Sequence, residues 1–255
     1  MILMSQNFYM EAVERVIKIH WATSERVIKM LERNGIAREI SEPVFGDPRL
    51  EIMSGLFTGK SKPFSYFSKE FGMFNEKSYQ RGIKFIKENT QKLDETEKQY
   101  GIPPEFIAAL ARMETNFGDN YGKHPAINYL YTWLVDRRSP LKRRNFAKWE
   151  IISLFRIVEK NKWDIFNILG SYMGCFGLLQ FTPTSCLRLA VDGNCDGVID
   201  LFNWDDAIMS AANHLKINGF GKSLASRRRA LYRYNNSWAY VRAIMEYAKK
   251  IKLPQ

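Results

Sequence analysis

Apolar residues recur along most of this chain at the three- and four-residue spacing of an amphipathic helix. Asn34-Gly35 and Gly118 stand where such a helix would end, and Pro104 stands where one would begin. No alternation of apolar and polar residues is long enough for a major sheet, so we expect a mainly α fold. The pattern predicts helices over residues 9–33, 76–100, 104–117, 149–169, 205–218, 224–233 and 237–251.

The segments between these helices differ in character. Residues 43–63 are rich in Gly and Pro and are predicted as a loop with short turns. Residues 119–148 are mixed and basic, residues 170–186 are Gly-rich and then apolar, and residues 192–203 form a polar loop.

Composition limits the class of protein without choosing a function. The 255 residues are 45% hydrophobic, enough for a sizeable core in one large domain or two small ones. The net charge of +11 favours a polyanionic partner, which leaves nucleic acid, an anionic membrane and a carboxylate-bearing cell-wall polymer open. No apolar run approaches transmembrane length. The first 21 residues lack the plain apolar stretch of a signal peptide, so an export signal has either been removed or does not exist.

The three cysteines, Cys175, Cys186 and Cys195, form no C-x-x-C pair. Because their number is odd, at least one thiol lies outside any intramolecular disulfide. Small buried or half-buried thiols are the favoured interpretation, and a bridge between Cys186 and Cys195 stays open.

Glu114 is the first residue whose setting indicates chemistry. Within the run PPEFIAALARMETNFG it shares a helix face with Ile107, Leu110 and Ala111. Apolar neighbours reduce the hydration of a carboxyl group, which raises its pKa and can keep it protonated near neutral pH. Such a group can protonate a departing glycosidic oxygen. On the helix alone, a solvated or ion-paired Glu is the commoner case.

The sequence around Glu114 carries a resemblance. The run YGIPPEFIAALARMETNFGDNYG resembles the catalytic segment of the lytic murein transglycosylase B family, which is similar in fold to goose-type lysozyme. GSYMGCFGLLQFTPTS resembles the family's G-S-x-x-G-x-x-G-x-x-Q-F-x-P-S-S stretch, and RYNNSWAYVRAI resembles its Tyr-Asn…Tyr-Val segment. With GDPRLE and residues 64–82, the resemblance covers about residues 45–250. The family commonly has Arg where this chain has Asn116.

The resemblance implies a site built around one acid. Glu114 would be the sole catalytic acid/base of a lysozyme-like catalytic region, residues 91–255, on which an added N-terminal helical region, residues 1–90, packs. Taken singly, the other implied residues have plainer interpretations as core aromatics, helix caps or a solvated charge pair. The residues implied in substrate binding are Ser171, Gln180, Phe181, Tyr234, Asn235, Tyr240, Arg137 and Arg138.

The resemblance also implies a reaction. A lytic transglycosylase would cleave peptidoglycan glycan strands between MurNAc and GlcNAc and leave 1,6-anhydroMurNAc ends, without water and without a cofactor for the chemistry. Its substrate places it in the bacterial periplasm or cell envelope, where other cell-wall enzymes stay open as partners. A hydrolytic lysozyme- or chitinase-like glycosidase and a non-catalytic peptidoglycan-binding protein are the alternatives. A nucleic-acid binder is disfavoured, because the basic runs Lys142–Arg144 and Arg227–Arg229 accompany no helix-turn-helix, RRM or zinc-finger signature.

Residues 192–200 match the first nine positions of an EF-hand loop, with oxygen donors at positions 1, 3 and 5 and Gly197 at position 6. Position 12 is Asn203 instead of Glu, and the family similarly carries an EF-hand-like loop whose last carboxylate comes later. We therefore expect an EF-hand-like loop over residues 192–206 with a structural Ca²⁺, against the alternative of a metal-free turn. Its predicted ligands are Asp192, Asn194, Asp196, the Val198 carbonyl and Asp206, with Asp200 further from the ion.

Overall fold

The computed structural model describes residues 23–58 and 65–253 and is mainly helical, as the sequence predicts. The predicted helix over residues 9–33 is seen from residue 23, and its earlier part lies outside the described residues. Two 3₁₀ turns, Ser54–Phe57 and Ile165–Asn167, lie between helices. The α-helices are α1 (residues 23–32), α2 (Arg38–Gly46), α3 (Glu76–Glu88), α4 (Thr90–Tyr100), α5 (Pro104–Thr115), α6 (Ala126–Val135), α7 (Leu141–Asn161), α8 (Pro183–Leu189), α9 (Trp204–Ile217), α10 (Leu224–Tyr234) and α11 (Trp238–Ile251).

Four predicted boundaries are wrong. The helix expected over residues 149–169 ends at Asn161, because Lys162 adopts a left-handed φ of 55° that closes the helix. The single helix expected over residues 76–100 is divided at Asn89, whose side chain caps α3 by donating to the carbonyl of Phe85. The loop expected from residue 43 begins later, because α2 continues through Pro43 and buries Phe45 against Tyr131 and Phe155. The mixed segment 119–148 contains α6 and the start of α7.

The hydrophobic core surrounds α5. The helix packs against α3, α4, α9 and α11, and residues 106–113 are buried on every side. A helix that is apolar on nearly every side belongs in the interior of a protein, and the one charged residue of this stretch, Arg112, bonds to Ser78 and to the carbonyl of Phe71. The last turn of α5 thereby reaches the cleft.

A minimal sheet fixes the Gly-rich segment beside α5. Strands β1 (His124–Pro125) and β2 (Leu169–Gly170) pair antiparallel, and isolated bridges continue from Gly170 to Phe176 and from Phe176 to Phe181. A Cβ added at Gly122 would stand 2.3 Å from the carbonyl oxygen of Gly170, so the two backbones meet at a distance that only glycine permits.

The structure shows the state of the three cysteines. All three are free thiols, so the Cys186–Cys195 bridge that the sequence leaves open is not formed. Cys186 is buried, Cys175 is half-buried and Cys195 is exposed.

No helix within residues 23–58 and 65–253 is both long and apolar enough to cross a membrane.

Candidate active site

A cleft of about 810 Å³ opens beside the C-terminal end of α5. Its walls come from residues 66–71, the Gly-rich segment 171–182, α9 and the turn between α10 and α11. Folding therefore collects side chains from segments that are far apart in the sequence. Of the predicted site residues, those that line this cleft are Glu114, Ser171, Gln180, Phe181, Tyr234, Asn235 and Tyr240.

Glu114 lies in the last turn of α5, with its side chain turned into the cleft. Ile107, Leu110 and Ala111 on the preceding turns are fully buried, as the helical spacing predicts. Burial raises the pKa of the Glu114 carboxyl from 4.5 to about 7, against the lowering effect of a hydrogen bond from Tyr240. The group can therefore hold a proton near neutral pH and also give it up.

Tyr240 is the partner of this acid. Its Oη donates to Glu114 Oε1 across 2.5 Å, and Ser237 caps the start of α11 by accepting from the backbone N–H of Tyr240. The phenol is buried beside the ring of Tyr66, at 5.9 Å between centroids. Burial and the nearby carboxyl of Glu114 hold the pKa of Tyr240 well above its ordinary value of 10, so the phenol stays a donor.

A second aromatic group also lines the cleft. Tyr234 Oη donates to the carbonyl of Leu179 across 2.6 Å, and the Tyr234 ring meets Phe181 and His214 edge to face at 6.0 and 4.6 Å. Burial lowers the pKa of His214 to about 4, so its imidazole is neutral. No motif marks His214 in the sequence, since it stands within α9 and reaches the cleft only through folding.

The Gly-rich segment presents two polar side chains. Gln180 adopts a left-handed φ of 51°, and its amide nitrogen donates to the carbonyls of Tyr121 and Gly177 at 3.2 and 3.0 Å. The Ser171 hydroxyl donates to the carbonyl of Cys175 at 3.4 Å, a long contact. Ser171 therefore has hydrogen-bonding capacity to offer to a bound molecule.

Arg137 and Arg138 lie outside this cleft. Arg138 forms an ion pair with Asp136 at 2.7 Å, and its guanidinium lies 4.3 Å from the centre of the Phe57 ring. Arg137 lines a separate pocket with Arg144 and Lys148. Folding thus divides the predicted basic pair from the predicted sugar-binding residues.

The predicted calcium loop is held to α9 by Asp206. This buried carboxylate accepts from the backbone N–H groups of Gly193 and Asp200 at 2.7 and 2.6 Å, and from that of Asn194 at 3.3 Å. Burial raises the pKa of Asp206, while these donors act in the opposite direction.

The donor chemistry of the loop suits a hard cation only in part. Asp192 accepts from the N–H groups of Asp196 and Gly197, and Asp196 accepts from the Asn194 amide at 2.8 Å. The oxygens are of the type that Ca²⁺ prefers, yet they face donors of the loop itself. Across the described stretches 23–58 and 65–253, no three His, Cys, Asp or Glu side chains are grouped to hold a metal ion.

Comparison with known proteins identifies the family. The Transglycosylase SLT domain matches residues 22–229. The chain belongs to the transglycosylase SLT domain family. It is 32% identical over 143 residues to the membrane-bound lytic murein transglycosylase B of Escherichia coli strain K12. This match covers 56% of the present chain and only 39% of that protein. The resemblance seen in the sequence motifs is confirmed.

Solved structures agree on the fold. The soluble lytic transglycosylase SltB1 of Pseudomonas aeruginosa has a TM-score of 0.79 at 22% identity, covering 90% of this chain and 98% of that one. SltB3 of Pseudomonas aeruginosa, in complex with NAG-anhNAM-pentapeptide, scores 0.78 at 20% identity and covers 91% and 79%. Escherichia coli Slt35, in complex with calcium, scores 0.75 at 22% identity and covers 90% and 92%.

Proposed function

We propose that this chain is a lytic transglycosylase that cleaves the β-1,4 bond between MurNAc and GlcNAc in peptidoglycan and leaves 1,6-anhydroMurNAc ends. The observation that carries the proposal is the Glu114 carboxyl, which lies in a cleft and whose pKa is raised to about 7 by burial. Membership of the SLT family supports it, as does the sugar-peptide complex of the similarly folded SltB3.

The chemistry uses one carboxyl group in two roles. Protonated Glu114 gives its proton to the glycosidic oxygen, and the acetamido group of MurNAc stabilises the cationic centre that forms. The resulting carboxylate takes the proton of the MurNAc 6-hydroxyl, which attacks C1 and closes the anhydro ring. No water is consumed, and Glu114 ends the cycle protonated.

The cleft supports this single-acid route. Among the described residues that line it, Glu114 is the only Asp or Glu, whereas most glycosidases place two carboxyl groups across the scissile bond. Tyr240 reaches Glu114 without accepting its proton, because the phenol already donates to Oε1. It can stabilise the carboxylate after the proton has left.

The substrate would lie along the aromatic and polar walls. Ring faces such as that of Tyr234 suit the apolar faces of sugars, while Ser171, Gln180 and Asn235 suit hydroxyl and N-acetyl groups. Phe181 is almost fully buried, so it would support Tyr234 from behind.

Arg137 and Arg138 would meet a different part of the substrate. Phe57, under the Arg138 guanidinium, contacts Trp133, and the Trp133 indole donates to the carbonyl of Tyr172 on the cleft wall. Arg138 thus stands beyond the sugar cleft along one connected surface. The carboxylates of a peptide stem would be attracted there.

We also propose a structural Ca²⁺ in the loop of residues 192–206. Carboxylate, amide and backbone oxygens are the ligands that this ion prefers, and the similarly folded Slt35 is known in complex with calcium. The carboxylate oxygens of Asp192 and Asp196 that accept loop N–H groups keep a second lone pair, with which they can coordinate the ion. The proposed ligands are those expected from the sequence: Asp192, Asn194, Asp196, the Val198 carbonyl and Asp206.

The remaining proposals concern organisation and place. Residues 1–90 would form a helical region on the catalytic region 91–255, and α3 packs against α5 and α11 in agreement with such an arrangement. A peptidoglycan substrate would place the protein in the bacterial periplasm or cell envelope, where other cell-wall enzymes could be its partners.

Product analysis tests the function. Purified peptidoglycan is digested with the wild type and with Glu114→Gln, and the released fragments are weighed by mass spectrometry. We expect anhydro ends, lighter than reducing ends by one water, from the wild type only. Reducing ends would indicate a hydrolase, and binding without release would indicate a non-catalytic protein.

A further inference from the structure

Helix α5, which carries Glu114, ends beside the cleft in an unusual turn. Asn116 and Phe117, two and three residues after Glu114, have left-handed φ values of 55° and 62°. This region is uncommon for residues other than glycine and is least favourable for bulky side chains such as Phe. Two such residues in succession persist only where their surroundings hold them, and such positions cluster at functional sites.

Arg81, on the neighbouring helix α3, makes contact with each part of this turn. Its Nη2 donates to the carbonyl of Asn116 at 2.9 Å, and its Nη1 lies 3.0 Å from Asp119 Oδ2. The same carboxylate oxygen accepts from the Asn116 amide at 2.7 Å. The Arg81 guanidinium also lies 5.2 Å from the centre of the Phe117 ring. We call Arg81, Asn116, Phe117 and Asp119 the exit clasp.

The exit clasp is connected to the acid through the end of α5. Phe117 N–H bonds back to the carbonyl of Ala111 at 2.9 Å, so the conformation of the turn sets how the last turn of the helix closes. Thr115 Oγ1 donates to the carbonyl of Leu178 at 2.8 Å and accepts from Gly118 N–H. The residue next to Glu114 is therefore tied both to the turn and to the Gly-rich wall of the cleft.

We propose that Arg81 is a positioning residue for catalysis. It holds the left-handed Asn116–Phe117 turn, and through that turn it keeps the Glu114 carboxyl in line with Tyr240 and with the bond to be cleaved. This assignment rests on the proposed function, because the reaction defines what the carboxyl must be aligned with.

A structural role alone makes a different prediction. The Arg81 side chain is 33% exposed and that of Asp119 is 56% exposed, and ion pairs at such exposure contribute little to stability. If the ion pair served stability alone, its loss would lower activity only by the fraction of molecules that unfold. Loss of a positioning contact lowers kcat in molecules that are fully folded, because misplacement of a reacting group by about 1 Å can cost about a hundredfold.

Arg49 supplies a matched control. It also pairs with carboxylates, Asp47 and Asp164, and its guanidinium also lies over a ring, that of Phe166, at 4.4 Å. It does not line the cleft. Arg49→Met therefore removes a carboxylate pairing and a ring contact like those of Arg81, but at a place without connection to Glu114 and without the bond to the Asn116 carbonyl.

The test measures kcat, KM and thermal unfolding for both variants. We expect Arg81→Met to lower kcat by about ten- to a hundredfold with KM within about twofold, and Arg49→Met to leave kcat unchanged. Adding Asn116→Gly to Arg81→Met should restore part of kcat, because glycine adopts the left-handed conformation without the clasp. An Arg81→Met enzyme with wild-type kcat, or a kcat loss that glycine does not reduce, would overturn the assignment.

A second readout does not depend on turnover. The ¹³C carboxyl resonance of Glu114 in glutamate-labelled protein, assigned by its loss in Glu114→Gln, reports the pKa of this group directly. If Arg81→Met separates Glu114 from Tyr240, that pKa rises, since the hydrogen bond from Tyr240 lowers it. An unchanged pKa would contradict the inference about Arg81. If the wild type released no anhydro product, that result would contradict only the proposed function, so the two failures can be told apart.

Discussion

Tyr240 reaches Glu114 from α11, 126 residues further along the chain, and its Oη donates to Glu114 Oε1. The contact acts against the effect of burial, because burial raises the pKa of Glu114 and the phenol lowers it. The balance leaves the pKa at about 7. A single group can then act as an acid in one step and as a base in the next, since neither form is strongly disfavoured near neutral pH.

Tyr240→Phe should move the pH dependence of activity. In the wild type, kcat/KM should fall above about pH 7, where Glu114 loses the proton that the first step needs. The variant removes the donor that stabilises the carboxylate, so the descending limb should shift to higher pH and kcat should fall. The measurement is kcat/KM across pH, with Tyr232→Phe, outside the cleft, as control. An unshifted limb would show that the phenol does not tune the acid.

Glu114→Gln should change the pH dependence of stability. As pH rises from about 4.5 to about 7, Glu114 ionises in the unfolded chain while it stays protonated in the native protein. The unfolded state then binds fewer protons, so wild-type stability falls across this window. The variant lacks this penalty. Above pH 7 its free energy of unfolding should therefore rise relative to that of the wild type by up to about 3 kcal/mol. Urea unfolding of both proteins at pH 4 and pH 8 measures the gain, and a gain equal at both pH values would contradict the assigned pKa.

Helical periodicity predicted most of the fold, and each failure has its own physical cause. The pattern continues across Asn89 because the residues on both sides have helical spacing, so only the backbone shows the break between α3 and α4. Helix α6 was missed because its sequence AINYLYTWLV is apolar on most sides and gives no contrast between two faces. Pro43 suggested a loop, yet burial of Phe45 favours continuing the helix.

The candidate site was predictable where a motif marked it. Glu114 and the residues of the Gly-rich segment stand in ordered motifs, and folding brings them into one cleft. His214 stands in a helix without a motif, and the resemblance over residues 64–82 implied no role for Arg81. Only tertiary structure places His214 beside the cleft and Arg81 beside the exit of α5. Arg138 pairs with Asp136 outside the cleft, and the sequence places these two residues close together without showing where their side chains point.

Removal of calcium should lower stability. If the loop of residues 192–206 binds Ca²⁺ only in the native state, saturation at a hundred times Kd adds about 2.7 kcal/mol to the free energy of unfolding. Thermal unfolding in CaCl₂ and in chelator should therefore differ for the wild type and coincide for Asp196→Ala. Asp94→Ala, on the separate helix α4, serves as the charge control and should keep the response. A melting temperature indifferent to chelator, with no heat of Ca²⁺ binding, would make the loop a metal-free turn.

Two glycine substitutions should separate backbone strain from steric overlap in the cleft wall. Gly174 and Gly219 have φ values of +74° and +86°, but an added Cβ at Gly174 would stand 2.5 Å from the Leu130 side chain, while the space at Gly219 is open. Gly219→Ala should cost about 1–2 kcal/mol for the left-handed backbone alone. Gly174→Ala should cost about 1–3 kcal/mol more for the overlap, as when a packed core receives an extra group.

The activities of the two glycine variants should differ in the same order as their stabilities. Gly174 N–H bonds to the carbonyl of Ser171 at 2.7 Å, so displacement of Gly174 moves the wall that carries the Ser171 hydroxyl. We therefore expect Gly174→Ala to lower kcat/KM under conditions where it remains folded, and Gly219→Ala to leave it near the wild-type value. Urea unfolding gives the two stabilities, and muropeptide release gives the two activities. Equal losses of kcat/KM in the two variants would mean that the close approach of Gly174 to Leu130 does not shape the cleft.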